Sequence, residues 1–316
     1  MNYILEINTN TISKKYTCFE VMLLNICRYW NLDFYNIFAW RWMFNYNKKK
    51  ACKSLNEQIP MIKDYDTEAK LYRKYLGLKM SGYSYQHKTF KTIIAQELNV
   101  GNPIGILIDT YFCSWNPLYK KSHTYHFCLV IGMSENSFYI CDTYIKEGII
   151  NVKHEEIDNK LVDTYLIFRK LEQTPFSVKD LLVEGFNYNC INEMGEKSFD
   201  NIKQYGLDLQ DCIMADIIMD DELLNPKISP TLRTIKTLSD DRYGLYNLLN
   251  HNRIYLKDTI VNTCSYINNL WSKCLNRYIY FFLKKDVSVP LKSIADIYLE
   301  ISEKEKVLYE LVTNSI

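Results

Sequence analysis

The chain has 316 residues, of which 47% are hydrophobic and 24% are charged, and its formal net charge at pH 7 is +1. This is the composition of a globular protein, and the near-neutral charge excludes a strongly basic surface for nucleic acid or an anionic membrane. Ten cysteines are present, but none forms a CxxC pair, which argues against a zinc site or a disulfide scaffold.

The N-terminal segment, MNYILEINTNTISKKYTC, lacks the apolar core of a secretory signal. No run in the sequence approaches the roughly 18 apolar residues of a membrane span. We therefore expect a cytoplasmic protein without a membrane partner, in which most cysteines are reduced and pack as small core residues.

The first predicted element is a helix over residues 17–30. Thr17 is a suitable N-cap, and Glu20 follows three residues later in a capping-box pattern. Apolar side chains then recur at helical spacing as far as Trp30. The next stretch, 34–46, is densely aromatic and has no clear period; its Trp40 and Trp42 could line a substrate groove or belong to an inner core.

Further along, the pattern predicts helices near 67–76 and 90–98, strands at 104–108, 125–132, 138–142 and 165–168, and a loop that contains Trp115 and Pro117. After residue 175, five segments carry helix-period stripes separated by Pro-containing breaks. The sequence thus predicts an α+β domain at 1–172 and a helical domain at 173–316.

One hairpin carries a pair of residues that suit catalysis. If Gly132 and Asn136 flank its turn, His126 stands directly opposite Asp142, on the same side of the sheet. A histidine held by a carboxylate is the orienting half of a nucleophilic triad. His123 precedes the strand and has no carboxylate partner in this register. The alternatives are a histidine of purely structural role at a strand edge and a turn-forming aspartate.

Cys18 is the best candidate for the nucleophile. It is the first residue of the predicted first helix, where free N–H groups and the positive end of the helix dipole stabilise a thiolate. A buried, inert core cysteine is the alternative. Asp109, at the end of the 104–108 strand, is either a turn carboxylate or a substrate-binding residue beside the cleft.

Three motifs together resemble one family: Cys18-Phe19-Glu20 at a helix start, the run from Gly101-Asn102-Pro103 to Asp109-Thr110-Tyr111, and His126…Gly132…Asp142. The order Cys, His, Asp is that of papain-like cysteine enzymes, and the motifs are similar to those of the butirosin-biosynthesis acyltransferase family, including closthioamide-type amide synthetases. The resemblance covers residues 16 to about 170, and more weakly the helical remainder.

The resemblance implies a papain-like fold and a catalytic triad of Cys18, His126 and Asp142. The candidate substrate-binding residues are Trp40, Trp42, Asp109 and Tyr111. It also implies amide synthesis in natural-product (nonribosomal peptide-like) pathways. An acyl or peptidyl carrier protein would bring the acyl group on its phosphopantetheine thioester, and a small amine would accept it. No metal and no further cofactor are expected, nor is a nucleic-acid partner, and a homodimer is left open.

The chain departs from these families at two places. Papain-type peptidases carry a Gln six residues before the Cys as an oxyanion donor, and here that position is Ile12. Asn8, Asn10 and Tyr16 are the alternative side-chain donors. Where the acyltransferases have a glycine-rich stretch after the first helix, this chain has Phe38 to Phe44.

Two other functions use the same residues. The first is a hydrolase, a peptidase or thioesterase in which water replaces the amine; free acid instead of amide would identify it. The second is a catalytically silent scaffold that binds a carrier protein or a peptide. Iodoacetamide labelling of Cys18 well below pH 8 would argue against the scaffold, because an inert buried thiol does not react.

Overall fold

The computed structural model describes residues 3–10, 15–48, 58–59, 65–158, 160–190, 195–218, 220–223 and 229–315. The chain divides into two compact units, residues 1–34 with 69–174, and residues 35–68 with 175–316. One boundary between these units lies at 174/175, and the predicted domain boundary is at 172/173. The segment 35–68 belongs to the second unit, whereas the sequence analysis placed it in the first domain.

The first unit is built on an antiparallel sheet, which in the described residues has seven strands. The strands are β1 (Tyr3–Ile4), β2 (Leu78–Ser84), β3 (Ile104–Asp109), β4 (Tyr125–Met133), β5 (Ser137–Cys141), β6 (Ile149–Lys153) and β7 (Val162–Lys170). Their order is β2-β7-β3-β4-β5-β6, and β1 pairs with the end of β4. The protein therefore has the α+β architecture that the sequence predicts.

The sequence analysis found the four strands β3, β4, β5 and β7 and missed the strands at the edges of the sheet. In the described part of the chain, strand β2 pairs only with β7, and β6 only with β5. Edge strands bury little of their surface and so lack a strong apolar pattern. The residues of β2, for example, are mostly exposed or half-buried.

One helix covers each face of this sheet, and a third helix precedes β2. Helix α1 (Cys18–Trp30) has the predicted capping box, which confirms the predicted start of the helix. Helix α2 (Tyr65–Leu71) continues into a π turn (Tyr72–Leu76) before Gly77, much as predicted. Helix α3 (His87–Asn99) shares a buried apolar cluster with the alternate residues of β3 and β4.

The second unit contains the helices α4 (Val178–Cys190), α5 (Ser198–Asp208), α6 (Pro230–His251), α7 (Asp258–Lys284) and α8 (Lys292–Ser315). Five helical segments were predicted here, near 176–184, 198–219, 231–249, 253–284 and 291–313, and each overlaps one of these helices. The second helix ends earlier than predicted, at Asp208. Their inward stripes are rich in Leu, Ile and aromatic residues that are almost fully buried.

The aromatic segment after α1 belongs to the core of this helical unit. It forms a 3₁₀ helix (Phe34–Trp40) and then runs without regular structure. Phe38 lies against the backbone of Gly244 so closely that a Cβ there would be 2.1 Å from its ring. The ring of Phe44 lies within 6.0–6.2 Å of the rings of Tyr205, Trp271 and Tyr298. The segment is therefore buried by helices that come much later in the sequence.

Candidate active site

Cys18 is placed by the cap of helix α1. The Thr17 Oγ1 accepts a hydrogen bond from the Glu20 N–H at 3.3 Å, and the Glu20 carboxylate accepts one from the Thr17 N–H at 2.7 Å. Because this box fixes where the helix begins, the half-buried Cys18 is its first residue. Backbone N–H groups in the first turn have no acceptor within the helix, and they favour a negative charge there.

Gly105 of β3 allows α1 to lie close to the sheet. A Cβ on Gly105 would be 2.9 Å from the Met22 Sδ and 3.0 Å from the Phe168 ring, which is too close for an unshifted side chain. Met22 is one helical turn after Cys18. The glycine therefore helps to determine how near the sulfur comes to the strands.

Two other side chains of α1 fix the helix on the same face of the sheet. The rings of Phe19 and Phe127 meet edge to face at 5.1 Å. The Asn25 side chain donates a hydrogen bond to the Thr143 hydroxyl at 2.9 Å. These contacts attach α1 to β4 and to the segment that follows β5.

His126 and Asp142 form a buried pair, as the sequence predicts. The His126 Nε2 lies 2.9 Å from both carboxylate oxygens of Asp142. The two residues are 4% and 2% exposed. A contact of this kind between a buried imidazole and a carboxylate holds the ring in one orientation and stabilises its charged form.

The predicted register of this hairpin is wrong by two residues. The Ser134 N–H donates to the Ser137 carbonyl, so the turn lies further along the chain than predicted. Leu129 pairs with Cys141, and the position opposite Asp142 is therefore that of Cys128. The side chains of His126 and Asp142 still meet because a shift of two keeps both on one face, where diagonal neighbours are within reach.

The pairing of β4 with β5 is irregular at Ile131. Because of this irregularity, the pairing near His126 differs from the predicted one by two residues, an even number that keeps each side chain on its predicted face. Near the turn, Gly132 pairs with Tyr139, but beyond Ile131 the register changes by one residue. If the pairing seen next to the turn continued unchanged along the strands, Asp142 would lie opposite Leu129. The side chain of Leu129 is on the other face of the sheet from His126. One extra residue in β4 thus returns the carboxylate to the face of the imidazole.

The sulfur and the imidazole come from opposite faces of the sheet. His126 pairs with Ile108, which belongs to the apolar cluster under α3, whereas α1 covers the other face. Within the described residues, no strand pairs with 126–128 of β4 on the β5 side, because β5 ends at Cys141. At this open edge Cys18 lies near enough to His126 to affect the pKa of the imidazole.

The environment of His126 favours its protonated form. Burial by itself lowers the pKa of His126, but hydrogen bonds with Asp142 and Cys18 and the negative charges of both groups outweigh it and raise the pKa to about 9. A neighbouring imidazolium is a common feature of reactive cysteines in proteins.

Other cysteines near Asp142 are kept as thiols. Burial, followed by the charge of Asp142, raises the pKa of Cys113 and that of Cys141 to about 12. The same two causes raise the pKa of Cys128 well above its usual value. These three cysteines therefore do not compete with Cys18 as nucleophiles.

Trp115 is a site residue that the sequence analysis did not select. Its indole Nε1 donates a hydrogen bond to the Asp142 Oδ2 at 3.0 Å, and it places a large apolar ring beside the carboxylate. The available signal was a tryptophan in a loop between two strands that carry site residues, since an indole N–H buried at such a place requires an acceptor.

Asp109 and Tyr111 lie together at the end of β3, and His123 joins them. The His123 Nδ1 is 2.7 Å from the Asp109 Oδ2. The expectation that His123 has no carboxylate partner is therefore wrong: it considered the β4–β5 hairpin alone, whereas the partner is on β3. The rings of Tyr111 and His123 are stacked at 4.2 Å.

Trp40 and Trp42 lie inside the second unit, with exposed fractions of 2% and 1%. The Trp42 ring packs on Phe186 at 4.3 Å, and its carbonyl accepts a hydrogen bond from Arg242. Of the two interpretations of these tryptophans, this burial favours the inner core over a substrate groove. Helices α4 and α6, distant in sequence, provide these contacts.

Among the described residues, no hydrogen bond joins Asn8 or Asn10 to Cys18. Asn8 and Asn10 are exposed and bonded to each other, the Asn10 N–H donating to the Asn8 Oδ1 at 2.9 Å. Tyr16 is buried, with its ring on Phe34 at 5.5 Å. Ile12 lies outside the described residues. The side-chain donor stays a prediction, and the backbone N–H of Cys18 remains suitable for the role.

In the part of the chain that the structure describes, no group of three or more His, Cys, Asp or Glu side chains is arranged to hold a metal ion. Among the same residues, no helix combines the length and the apolar character that a membrane crossing requires.

Comparison with models of known protein families gives no match for this sequence. Curated proteins give no match either.

Proposed function

We propose that this chain is a cysteine-dependent acyltransferase that forms an amide bond by moving an acyl group from a carrier-protein thioester, through Cys18, to an amine. The observation that carries the proposal is the buried hydrogen bond of His126 to Asp142, together with Cys18 at a capped helix start near enough to affect the pKa of the imidazole. The choice of an amide product rests on the resemblance of the sequence motifs to amide-forming acyltransferases.

In the first step, the Cys18 thiolate attacks the carbonyl carbon of the donor thioester. A new C–S bond forms and the old one breaks, and the leaving phosphopantetheine sulfur takes the proton of the His126 imidazolium. In the second step, a neutral amine attacks the Cys18 thioester, and His126 accepts a proton from its nitrogen. Cys18 leaves as a thiolate, which restores the starting pair.

Asp142 assists both steps by orienting His126 and stabilising its charged form. The 4% exposure of His126 and the 2% exposure of Asp142 keep water from this pair. Amide formation outruns hydrolysis only if water is also kept from the acyl group while the amine is held close to it.

Two finer assignments belong to the same proposal. The first unit is a papain-like catalytic domain, supported by a cysteine at a capped helix start and a His–Asp pair on antiparallel strands. The protein acts in the cytoplasm, which the state of the cysteines supports: the eight whose side chains are described are all free thiols.

The test is to follow both steps with the intact protein. The hexanoyl thioester of N-acetylcysteamine should add one hexanoyl group to Cys18, detected by intact mass, and n-butylamine should then release the amide. Cys18→Ala should give neither product nor adduct, at an unchanged melting temperature. Full turnover by this variant would remove the mechanism, and release of free acid alone would make the protein a hydrolase.

Cys212 provides the matched control. It is half-buried like Cys18, but burial and the nearby Asp216 raise the pKa of its thiol. Cys212→Ala should keep full activity, and iodoacetamide at pH 6.5 should label Cys18 much faster than Cys212. Equal, slow labelling of the two would favour the silent scaffold.

A further inference from the structure

The exposed cluster of Asp109, Tyr111 and His123, called here the His123 cluster, has no part in the steps above. Asp109 holds the imidazole through Nδ1 at 2.7 Å, and its other oxygen accepts the Tyr111 N–H at 2.9 Å. Tyr111 stacks on the imidazole with an angle of 15° between the rings. The His123 side chain is thus 62% exposed and yet held on two sides.

Hydrogen bonds between its two ends close the loop that carries Tyr111 and His123. The Thr110 N–H donates to the Thr124 carbonyl at 2.9 Å, and the Thr110 hydroxyl donates to the Ser122 carbonyl at 2.9 Å. These bonds join the two ends of the 110–124 loop directly beside the three residues. The orientation of His123 is therefore set by the sheet.

The cluster lies on the face of the sheet that α1 covers. Asp109 pairs with Tyr125, and Leu107 pairs with Phe127, so these four side chains share one face. Phe127 contacts Phe19, the residue after Cys18. Residues two apart on a strand are separated by roughly 7 Å. Asp109 therefore lies roughly 7 Å along β3 from Leu107, whose partner Phe127 contacts the residue after Cys18.

The chemistry of the pair points to an N–H donor as the ligand. Since a carboxylate accepts the Nδ1–H, the lone pair of the neutral ring is on Nε2. This atom makes no hydrogen bond with the residues that the structure describes, and it belongs to a largely exposed side chain. His126 is the reverse case, because its Nε2 is bound to Asp142 in a buried site. His123 therefore offers an exposed ring nitrogen to a ligand, whereas the Nε2 of His126 is already occupied.

The charges around the cluster suit a cation. Two lysines of the same loop are engaged elsewhere: the Lys120 ammonium lies over the Tyr119 ring at 5.1 Å, and the Lys121 ammonium donates to the Pro117 carbonyl at 3.0 Å. The Tyr125 side chain, on the same face as Asp109, is 70% exposed. A carboxylate with exposed aromatic rings around it attracts an alkylammonium ion.

We propose that the His123 cluster binds the acceptor amine and takes up its ammonium proton. An alkylammonium ion has no lone pair with which to attack, and its ordinary pKa is near that of lysine, about 10.4. Its N–H proton passes to the His123 Nε2, which gives a neutral amine and an imidazolium paired with Asp109. The amine then attacks the Cys18 thioester, His126 takes its second proton, and His123 releases the first to water. This inference rests on the proposed function.

The test separates amine use from acylation of Cys18. His123→Asn can keep a donor to Asp109 but lacks the Nε2 acceptor, and Asp109→Asn removes the orienting carboxylate. With the hexanoyl-enzyme and n-butylamine, each variant should lower the ratio of amide to free acid at least about tenfold. The rate of Cys18 acylation should stay within about twofold of wild type.

His87 is the matched control, because it is exposed and its Nδ1 lies 3.1 Å from the Tyr85 hydroxyl. His87→Asn should leave the product ratio unchanged. An unchanged ratio in His123→Asn, with a wild type that makes amide, would overturn the inference.

A binding measurement decides the inference even if the wild type makes no amide. In ¹⁵N-histidine-labelled protein, n-butylammonium should shift the Nε2 resonance of His123 and leave that of His87 in place. Absence of this shift in the wild type would overturn the site. A shift without amide formation would overturn the proposed function but keep the amine site.

Discussion

Both units bury an acidic side chain against a basic one: Asp142 with His126 in the first, and Glu305 with Arg242 in the second. Arg242 donates from Nε to one carboxylate oxygen of Glu305 at 3.0 Å, and the Trp271 indole donates to the same oxygen at 2.9 Å. Arg242 and Glu305 are both 0% exposed. The Arg242–Glu305 pair is therefore the more deeply buried of the two.

The difference lies in what each pair can do with a proton. Arginine keeps its proton throughout the physiological range, and Glu305 is closed in by Arg242 and Trp271, so that pair only joins three helices. The contacts of His126 raise its pKa to about 9, and the half-buried Cys18 is among the groups that cause this shift. A buried charge pair thus indicates a reactive site only if one partner titrates and a nucleophile adjoins it.

The largest effect should come from Asp142→Asn. We expect kcat/KM to fall by about 10³, because the imidazole loses the group that fixes its orientation and its charge. The alkaline limb of the pH–rate profile should move to below pH 9, since Asp142 is a cause of the raised pKa of His126. Asp163→Asn, at an exposed position bonded to Thr164, is the control. A limb that stays in place would contradict the assignment.

The same pair should make stability depend on pH. The folded-state pKa of His126 is raised above the usual histidine value of 6.5. Its contribution is therefore fully present below about pH 6.5 and is lost as the pH rises through about 9. Urea unfolding of wild type and Asp142→Asn should show a larger stability difference at pH 6 than at pH 9.5. A difference that grows with pH would contradict the sign.

Breaking the other pair should affect stability and not chemistry. We expect Arg242→Met to lower the free energy of unfolding by about 3–5 kcal/mol, because it leaves the Glu305 carboxylate buried without its charge partner. The surface pair Arg253–Asp258, with side chains 52% and 70% exposed, is the control. Arg253→Met should cost at most about 1 kcal/mol. Urea unfolding measures both, and equal costs would refute the contrast.

A smaller change should come from Gly105→Ala. The new methyl group must displace Met22, Phe168 or Leu166, so we expect a loss of about 1–3 kcal/mol and slower alkylation of Cys18 by iodoacetamide. In a Met22→Ala background the same substitution should cost less, which a double-mutant cycle measures. Gly82→Ala is the control, because the nearest atom there is at 3.4 Å. Equal costs in both backgrounds would exclude the contact.

The smallest effect should come from Trp115→Phe. The variant loses one hydrogen bond to a carboxylate, and we expect kcat/KM to fall about three- to tenfold with little loss of stability. Trp30→Phe, at a half-buried tryptophan of the same unit, should leave the rate unchanged. Steady-state kinetics with the hexanoyl thioester is the measurement. An unchanged rate would mean that the indole only packs.

The parts of the site that the sequence predicts are those encoded over short distances. The Thr17–Glu20 box lies within one helical turn, so the position of Cys18 could be read directly from neighbouring residues. The face shared by His126 and Asp142 follows from alternation along a strand. That prediction holds although its register is wrong, because the irregularity at Ile131 leaves an even shift.

What only the tertiary structure decided lies between segments far apart in the chain. The Trp115 donor to Asp142, the His123 partner on β3 and the place of Phe38 against Gly244 each depend on how many other elements pack. Sequence by itself determined the helix start, the strand alternation and the α+β architecture, because local hydrogen bonds and apolar periodicity depend on residues that are close together in the chain. The choice among distant partners belongs to the whole core, since close packing couples every contact to its neighbours.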